Sequence, residues 1–324
     1  MLIFITAVLV GLALLVWSSD LFVDGASSIA RNLGVSPLIV GMLIIGFGTS
    51  SPEILVSAVA AFQGNPALGI GNAIGSNITN ISLVLGITSI FYVLPVHSRL
   101  LKKELPLVLA SAVLAWGLML DGYFSLSDSL ILLVALALVL TWMIVSIKKE
   151  AKHHDPLIDE TIDELPTKLP LKKSLIWTII GLCLLLLSSK LLVWGASSIA
   201  SEFGVSDLVI GLTIVAIGTS LPELAATLSS AKKGETDLAV GNIVGSNLFN
   251  TLSVLAIPAL IQPLKLPPEA LTRDMPIMLG LTVVLLLFSF GCFKNSRYKI
   301  NLPKGIFLLM SFIIYEAILY YQSM

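Results

Sequence analysis

Long apolar stretches alternate with short polar breaks along the whole chain. Ten of them reach membrane-spanning length, at approximately 2–29, 36–61, 67–93, 105–121, 127–147, 174–200, 207–231, 237–261, 275–293 and 303–321. A helix needs about 20 such residues to cross a hydrocarbon core roughly 30 Å thick. Several stretches exceed that length, which leaves room for tilt or for a break in the middle. The first has no basic residue ahead of Asp20 and no small-residue cleavage signal, so it counts as a span rather than a signal peptide. The predicted fold class is an all-α membrane protein of ten transmembrane helices.

Composition agrees. Of 324 residues, 56% are apolar and 12% charged, with a mean hydropathy of +0.98, whereas an ordinary globular domain is about one quarter charged. A soluble enzyme, a nucleic-acid binder and a disordered chain are excluded. A net charge of -1 implies no polyanionic partner. Cys183 and Cys292 lie inside apolar runs, so they imply neither a disulfide framework nor a metal cluster. No cofactor or protein partner is implied beyond the lipid bilayer.

Cytoplasmic loops carry the excess of Lys and Arg. With the N-terminus outside, 16 of the 19 basic residues fall in inside connections, Lys265 and Arg273 fall outside, and Lys190 lies within a span. Both termini are then expected outside, and the 148–173 connection is a cytoplasmic linker. That linker holds six Lys and six acids. His153 and His154 beside Asp155 are read as part of a solvated linker rather than as a metal site. Asp20, Asp24 and Lys190 are read as interfacial snorkelling residues, with a place on an access pathway as the alternative. Asp121, Asp128 and Glu316 are expected to be solvated near the outer surface.

The chain repeats itself at an offset of 170 residues. Gly25-Ala-Ser-Ser-Ile-Ala30 returns at Gly195–Ala200, Gly48-Thr-Ser-Ser-Pro-Glu53 as Gly218-Thr-Ser-Leu-Pro-Glu223, and Gly71-Asn-Ala-Ile-Gly-Ser-Asn77 as Gly241-Asn-Ile-Val-Gly-Ser-Asn247. Five spans per half, an odd number, make the second copy enter the membrane from the opposite side. The expected organisation is a first five-helix repeat over 1–147, the linker over 148–173 and a second repeat over 174–324. Inverted-topology repeats are an architecture of secondary transporters.

Ionisable groups in mid-span are costly and default to functional sites. Glu53 and Glu223 lie in mid-span, each directly after a proline, with no matching Lys or Arg. Pro52 and Pro222 should kink or break their helices, freeing carbonyl oxygens next to the hydroxyls of Thr49, Ser50, Thr219 and Ser220. Hard cations favour such mixtures of carboxylate, carbonyl and hydroxyl oxygen. Asn72, Ser76 and Asn80 form an i, i+4, i+8 stripe matched by Asn242, Ser246 and Asn250. Helix glue is an equal reading for Asn72 and Asn242. Gly41, Gly71 and Gly75, with Gly211, Gly241 and Gly245, would let helices approach closely.

These motifs resemble those of the cation/calcium exchanger superfamily, and within it the prokaryotic sodium/calcium exchangers. Both copies carry Gly-Thr-Ser-X-Pro-Glu followed by Gly-Asn-X-X-Gly-Ser-Asn, and the resemblance spans the whole chain. It implies that Glu53 and Glu223 bind Ca2+ and are shared with Na+, and that Thr49 and Thr219 supply backbone oxygen to Ca2+. It further implies that Ser50, Ser76, Ser220 and Ser246 serve Na+, and that Asn80 and Asn250 flank the centre. The first and sixth helices would slide past the rest. Some relatives, notably K+-dependent ones, have an acid where this chain has Asn250, so K+ cotransport is not expected. The expected function is a Ca2+/Na+ antiporter in a prokaryotic inner membrane, with no enzymatic activity. A Ca2+/H+ antiporter and a cation channel are the alternatives.

Overall fold

The computed structural model describes residues 1–96, 100–153, 169–203, 216–290 and 298–323. The middle of the linker, the first part of the 207–231 span and the end of the 275–293 span lie outside them, together with His97, His154, Gly211 and Cys292. Among the described residues eight helices are long and apolar enough to cross a membrane. In chain order the main helices are α1 Leu2–Leu33, α2 Pro37–Phe62, α3 Pro66–Phe91, α4 Leu105–Met119 and α5 Leu126–His153. They continue with α6 Leu171–Glu202, α7 Leu221–Lys232, α8 Thr236–Ile261, α9 Ala270–Phe290 and α10 Leu302–Ser323. Helix thus takes up both ends of the expected linker, through His153 on one side and from Leu171 on the other.

Burial sorts the helices into a centre and a periphery. In its most apolar window α8 is 83% buried and α3 is 72% buried, against 28% for α1 and α6. The outer faces of α1 and α6 are rows of exposed large apolar side chains such as Leu9, Leu12, Val16, Ile176, Ile179 and Leu187, as expected of surfaces solvated by lipid.

These two peripheral helices lie antiparallel. Met1 meets Glu202 at one end, and at the other a Cβ on Gly25 would strike the Thr178 hydroxyl and backbone. Gly11 faces the Leu192 backbone and Gly181 faces that of Phe22, each too closely for a side chain. Small residues therefore set this approach, as they do where lipid supplies no hydrophobic drive between helices.

Two short antiparallel ribbons cross-link the halves: β1 (Leu94–Pro95) pairs with β4 (Lys299–Ile300), and β2 (Tyr123–Phe124) with β3 (Leu264–Lys265). Each ribbon joins one strand from the first half to one from the second.

Candidate cation-binding centre

Each glutamate follows a true break in its helix. In the first half the chain is helical over Phe47–Thr49, turns at Ser50 (φ -79°, ψ 2°), and resumes over Ser51–Phe62. In the second, Ala216–Thr219 ends at Ser220 (φ -91°, ψ 6°), and α7 begins at Leu221. The break falls two residues ahead of the proline rather than on it. Proline has no N–H to lose in the first turn and clashes only with the turn before it, so Pro52 and Pro222 sit comfortably as the second residue of the new helix. Glu53 and Glu223 consequently occupy the first turn of the second segment, where the helix dipole favours negative charge.

Both carboxylates are fully buried, and all four of their oxygens lack a hydrogen-bond partner. They lie within Coulombic reach of each other, and the Thr49 and Ser50 hydroxyls stand beside Glu223. Among the described residues, no basic side chain acts on either one. The hydroxyls of Ser50 and Ser220, the carbonyl of Asn80 and both amide atoms of Asn250 are likewise buried without partners. Buried polar atoms in proteins are seldom left unpaired. Nine of the 17 such atoms among the described residues fall at the predicted positions, and eight of those nine are oxygens.

The remaining predicted residues hold this arrangement together. Asn72 donates to the Glu53 carbonyl oxygen (3.1 Å) and to the Ser57 hydroxyl (3.0 Å). Asn242 repeats the pattern on the Glu223 carbonyl (3.2 Å) and the Thr227 hydroxyl (2.8 Å). The carbonyl of Asn242 accepts from Thr49 at 3.2 Å, and the Ser246 hydroxyl lies 3.3 Å from that of Thr49 while donating to the Gly46 carbonyl. Asn80 donates to Asn247 (3.2 Å), and Asn77 to Thr251 (2.9 Å). Ser57, Thr227, Asn77 and Asn247 were not singled out from the sequence. The first two lie one helical turn after each glutamate, and the last two close the repeated Gly-Asn motif. Asn80 and Asn250 each open a π-helical turn, Asn80–Val84 and Asn250–Val254, a distortion frequent at functional sites.

Among the described residues, a cavity leads toward the centre from one side. This cavity of about 370 Å³ is lined by Gly71, Asn72, Gly75, Ser76 and Thr219, and extends to Arg273, Asp274, Tyr315 and Glu316. Arg273 also reaches Gln322, so this is the face of the C-terminus. Glu316 is half-buried on the cavity wall rather than freely solvated. Among the described residues, a Cβ added to Gly71 or Gly75 would meet nothing within 4 Å. At the matching positions of the second half, Gly241 and Gly245 press against the carbonyls of Leu38 and Met42. There α2 and α8 close the other face.

On that closed face Asp20 and Asp24 do not snorkel as isolated charges: Lys233 pairs with Asp24 at 2.6 Å and also reaches Asp20. Asp128 caps the start of α5 by accepting from the Ser125 N–H at 2.8 Å, and Asp121 accepts from the Tyr123 N–H. Lys190 is exposed.

Comparison with known proteins agrees with this geometry. The profile of a family described as sodium/calcium exchanger protein matches residues 3–146 and 173–321. The candidate antiporter CaxA of Alkalimonas amylolytica is 49% identical over 313 residues, covering 97% of each chain. The sodium/calcium exchanger MaX1 of Methanosarcina acetivorans is 30% identical, again over 97% of each chain. A solved structure of the sodium-calcium exchanger NCX_Mj, soaked with 10 mM Na+ and 10 mM Sr2+, superposes with a TM-score of 0.82 at 35% identity, covering 98% of each chain. The chain belongs to the sodium/calcium exchanger family.

Proposed function

We propose that this membrane antiporter exchanges Ca2+ for Na+ at one shared centre built on Glu53 and Glu223. Thr49, Thr219, Ser50, Ser220, Ser76, Ser246, Asn80 and Asn250 supply the remaining oxygens, and Asn72 and Asn242 brace the broken helices. The observation that carries the proposal is the group of fully buried, unpartnered oxygens around two carboxylates on which, among the described residues, no basic side chain acts. Such a centre has a formal charge near -2, and leaving it empty in low dielectric is costly. One Ca2+ balances it, and so do two Na+; a third Na+ would make exchange electrogenic. Because both ions need the same oxygens, one must leave before the other enters, and that competition makes transport an exchange.

Alternating access follows from the architecture we infer: ten transmembrane helices as two inverted five-helix repeats, 1–147 and 174–324, joined by a cytoplasmic linker at 148–173. The antiparallel pairing of α1 with α6 and the paired glycine contacts at the 170-residue offset support it. In this arrangement the centre opens toward the C-terminal face and is closed toward the linker face. Exchanging the packing of the two halves would open the opposite side. The bias of basic residues puts both termini outside a prokaryotic inner membrane, so the open side faces out and an inward Na+ gradient would extrude Ca2+.

The same unpartnered carboxylates could be neutralised by protons, which keeps Ca2+/H+ exchange as the rival. Ca2+ uptake into proteoliposomes under separate Na+, K+ and H+ gradients distinguishes the two. Uptake driven by Na+ at clamped pH is expected; uptake driven only by a pH jump would assign protons as the counter-ion. Ca2+ flux without any counter-ion would mean a channel.

A further inference from the structure

The linker face carries a polar assembly that the matching positions of the other half do not repeat. From α1, Asp20, Asp24 and Ser27 meet Ser229, Lys233 and Glu235 at the turn between α7 and α8. The Lys233 ammonium lies 2.6 Å from an Asp24 carboxylate oxygen, donates to the Asp20 backbone carbonyl at 2.8 Å, and stands 3.9 Å from the Asp20 carboxylate. Ser229 donates to Asp20 at 2.5 Å, and Ser27 donates to Glu235 at 2.7 Å. Glu235 is 5% exposed, and its second carboxylate oxygen is buried without a partner.

At the 170-residue offset the corresponding positions are Lys190, Trp194 and Ser197 on α6, and Val59, Gln63 and Asn65 around the end of α2. That set contains one base and no acid, so it cannot form the same ion pairs. The two ends of an otherwise repeated molecule are therefore fastened unequally.

We propose that these six residues form a clasp holding α1 against the α7–α8 turn while the linker face is closed, and that Glu235 is a proton site, separate from the transport centre, whose ionisation releases the clasp. The functional weight of this asymmetry rests on alternating access as proposed above, whereas opening of the clasp is measurable with no transported ion present.

The direction of the pH response follows from the surroundings of Glu235. Burial pushes its carboxyl up to about 7; the Ser27 hydroxyl and Lys233 favour the carboxylate, and Asp24 opposes it. Asp20 is occupied by Ser229 and Lys233. Lys232, Arg31 one turn beyond Ser27, Asp237 in the first turn of α8, and Glu223 of the transport centre at the far end of α7 are the other charged side chains on these elements. Once the clasp opens and Glu235 reaches water, it titrates near its ordinary 4.5. The clasped form thus holds a proton that the open form has already lost. Acid favours the clasp, rising pH favours release, and the gain levels off above about 7. Linkage between these two values changes the open-to-clasped ratio about tenfold from pH 6 to pH 8.

The test measures the distance between spin labels at Leu33→Cys and Lys232→Cys in full-length protein in proteoliposomes, in a Cys183→Ser, Cys292→Ser background. Both label positions are exposed and lie outside the clasp contacts. The ratio of long to short distances is expected to rise about tenfold from pH 6 to pH 8. Glu235→Gln, which mimics the protonated side chain, should hold the pH 6 ratio throughout. Ser27→Ala removes a bond that favours the carboxylate, so it should move the step to higher pH. An unchanged ratio in the parent protein, or the same step retained in Glu235→Gln, would overturn the proposal. Loss of exchange with the distance response intact would instead count against the transport function alone.

Discussion

The side-chain nitrogen of Asn242 lies 3.2 Å from the backbone carbonyl oxygen of Glu223 and donates to it, and Asn72 makes the same bond to Glu53 at 3.1 Å. Each asparagine also binds a hydroxyl one turn further along, on Thr227 or Ser57. A single amide on one helix thus fastens the first turn after the break in the next. The glue and binding readings of these residues are then one role, because bracing the turn is what aims the carboxylate.

Asn242→Ala should weaken Ca2+ exchange more than Asn72→Ala. Asn242 is fully buried and also accepts from Thr49, whereas Asn72 borders the cavity, where water can replace the lost bond. Leaving a buried group unpaired costs about 1–3 kcal/mol, so the half-saturating Ca2+ concentration should rise roughly ten- to a hundredfold for Asn242→Ala. Initial rates across a Ca2+ series in proteoliposomes check the ranking.

The glycines make an asymmetric prediction. A Cβ at Gly245 would strike the Met42 backbone, while one at Gly75 meets nothing within 4 Å among the described residues. Gly245→Ala should therefore lower Tm, since overpacking costs about 1–3 kcal/mol. Gly75→Ala should leave Tm unchanged yet slow exchange, because the opposite access state requires the first half to close as tightly as the second does here. Thermal unfolding and Ca2+ counterflow measured on both variants separate the two effects.

Asn250→Asp places a third carboxyl where both amide atoms are now buried without partners. The change should alter cation selectivity or pH dependence rather than folding. Exchange measured from pH 6 to pH 9, with and without K+, tests it. Unchanged profiles would remove Asn250 from the centre.

Much of this centre was legible before any coordinates. Apolar length located the helices, and the 170-residue repeat pointed to the broken segments and their glutamates. The break positions were displaced by two residues because proline excludes helix from the turn before it while starting a new helix well. The π turns at Asn80 and Asn250 left no mark on the spacing of apolar residues. The cavity beside Gly75 could not be read either: Gly75 and Gly245 stand in almost identical sequence, yet among the described residues only Gly245 meets a neighbouring backbone. Asp20 and Asp24 looked like interfacial charges because Lys233, their partner, lies more than two hundred residues away in the chain.

Equilibrium binding of radioactive Ca2+ to the purified protein, titrated with Na+, tests most directly whether Glu53 and Glu223 form one shared centre. One Ca2+ should bind and be displaced by Na+. Removing one charge of such a buried set costs about 2–5 kcal/mol, so Glu53→Gln and Glu223→Gln should each lower Ca2+ affinity by more than about thirtyfold while remaining folded. Near-normal Ca2+ binding in either folded variant, or Ca2+ binding indifferent to Na+, would contradict it.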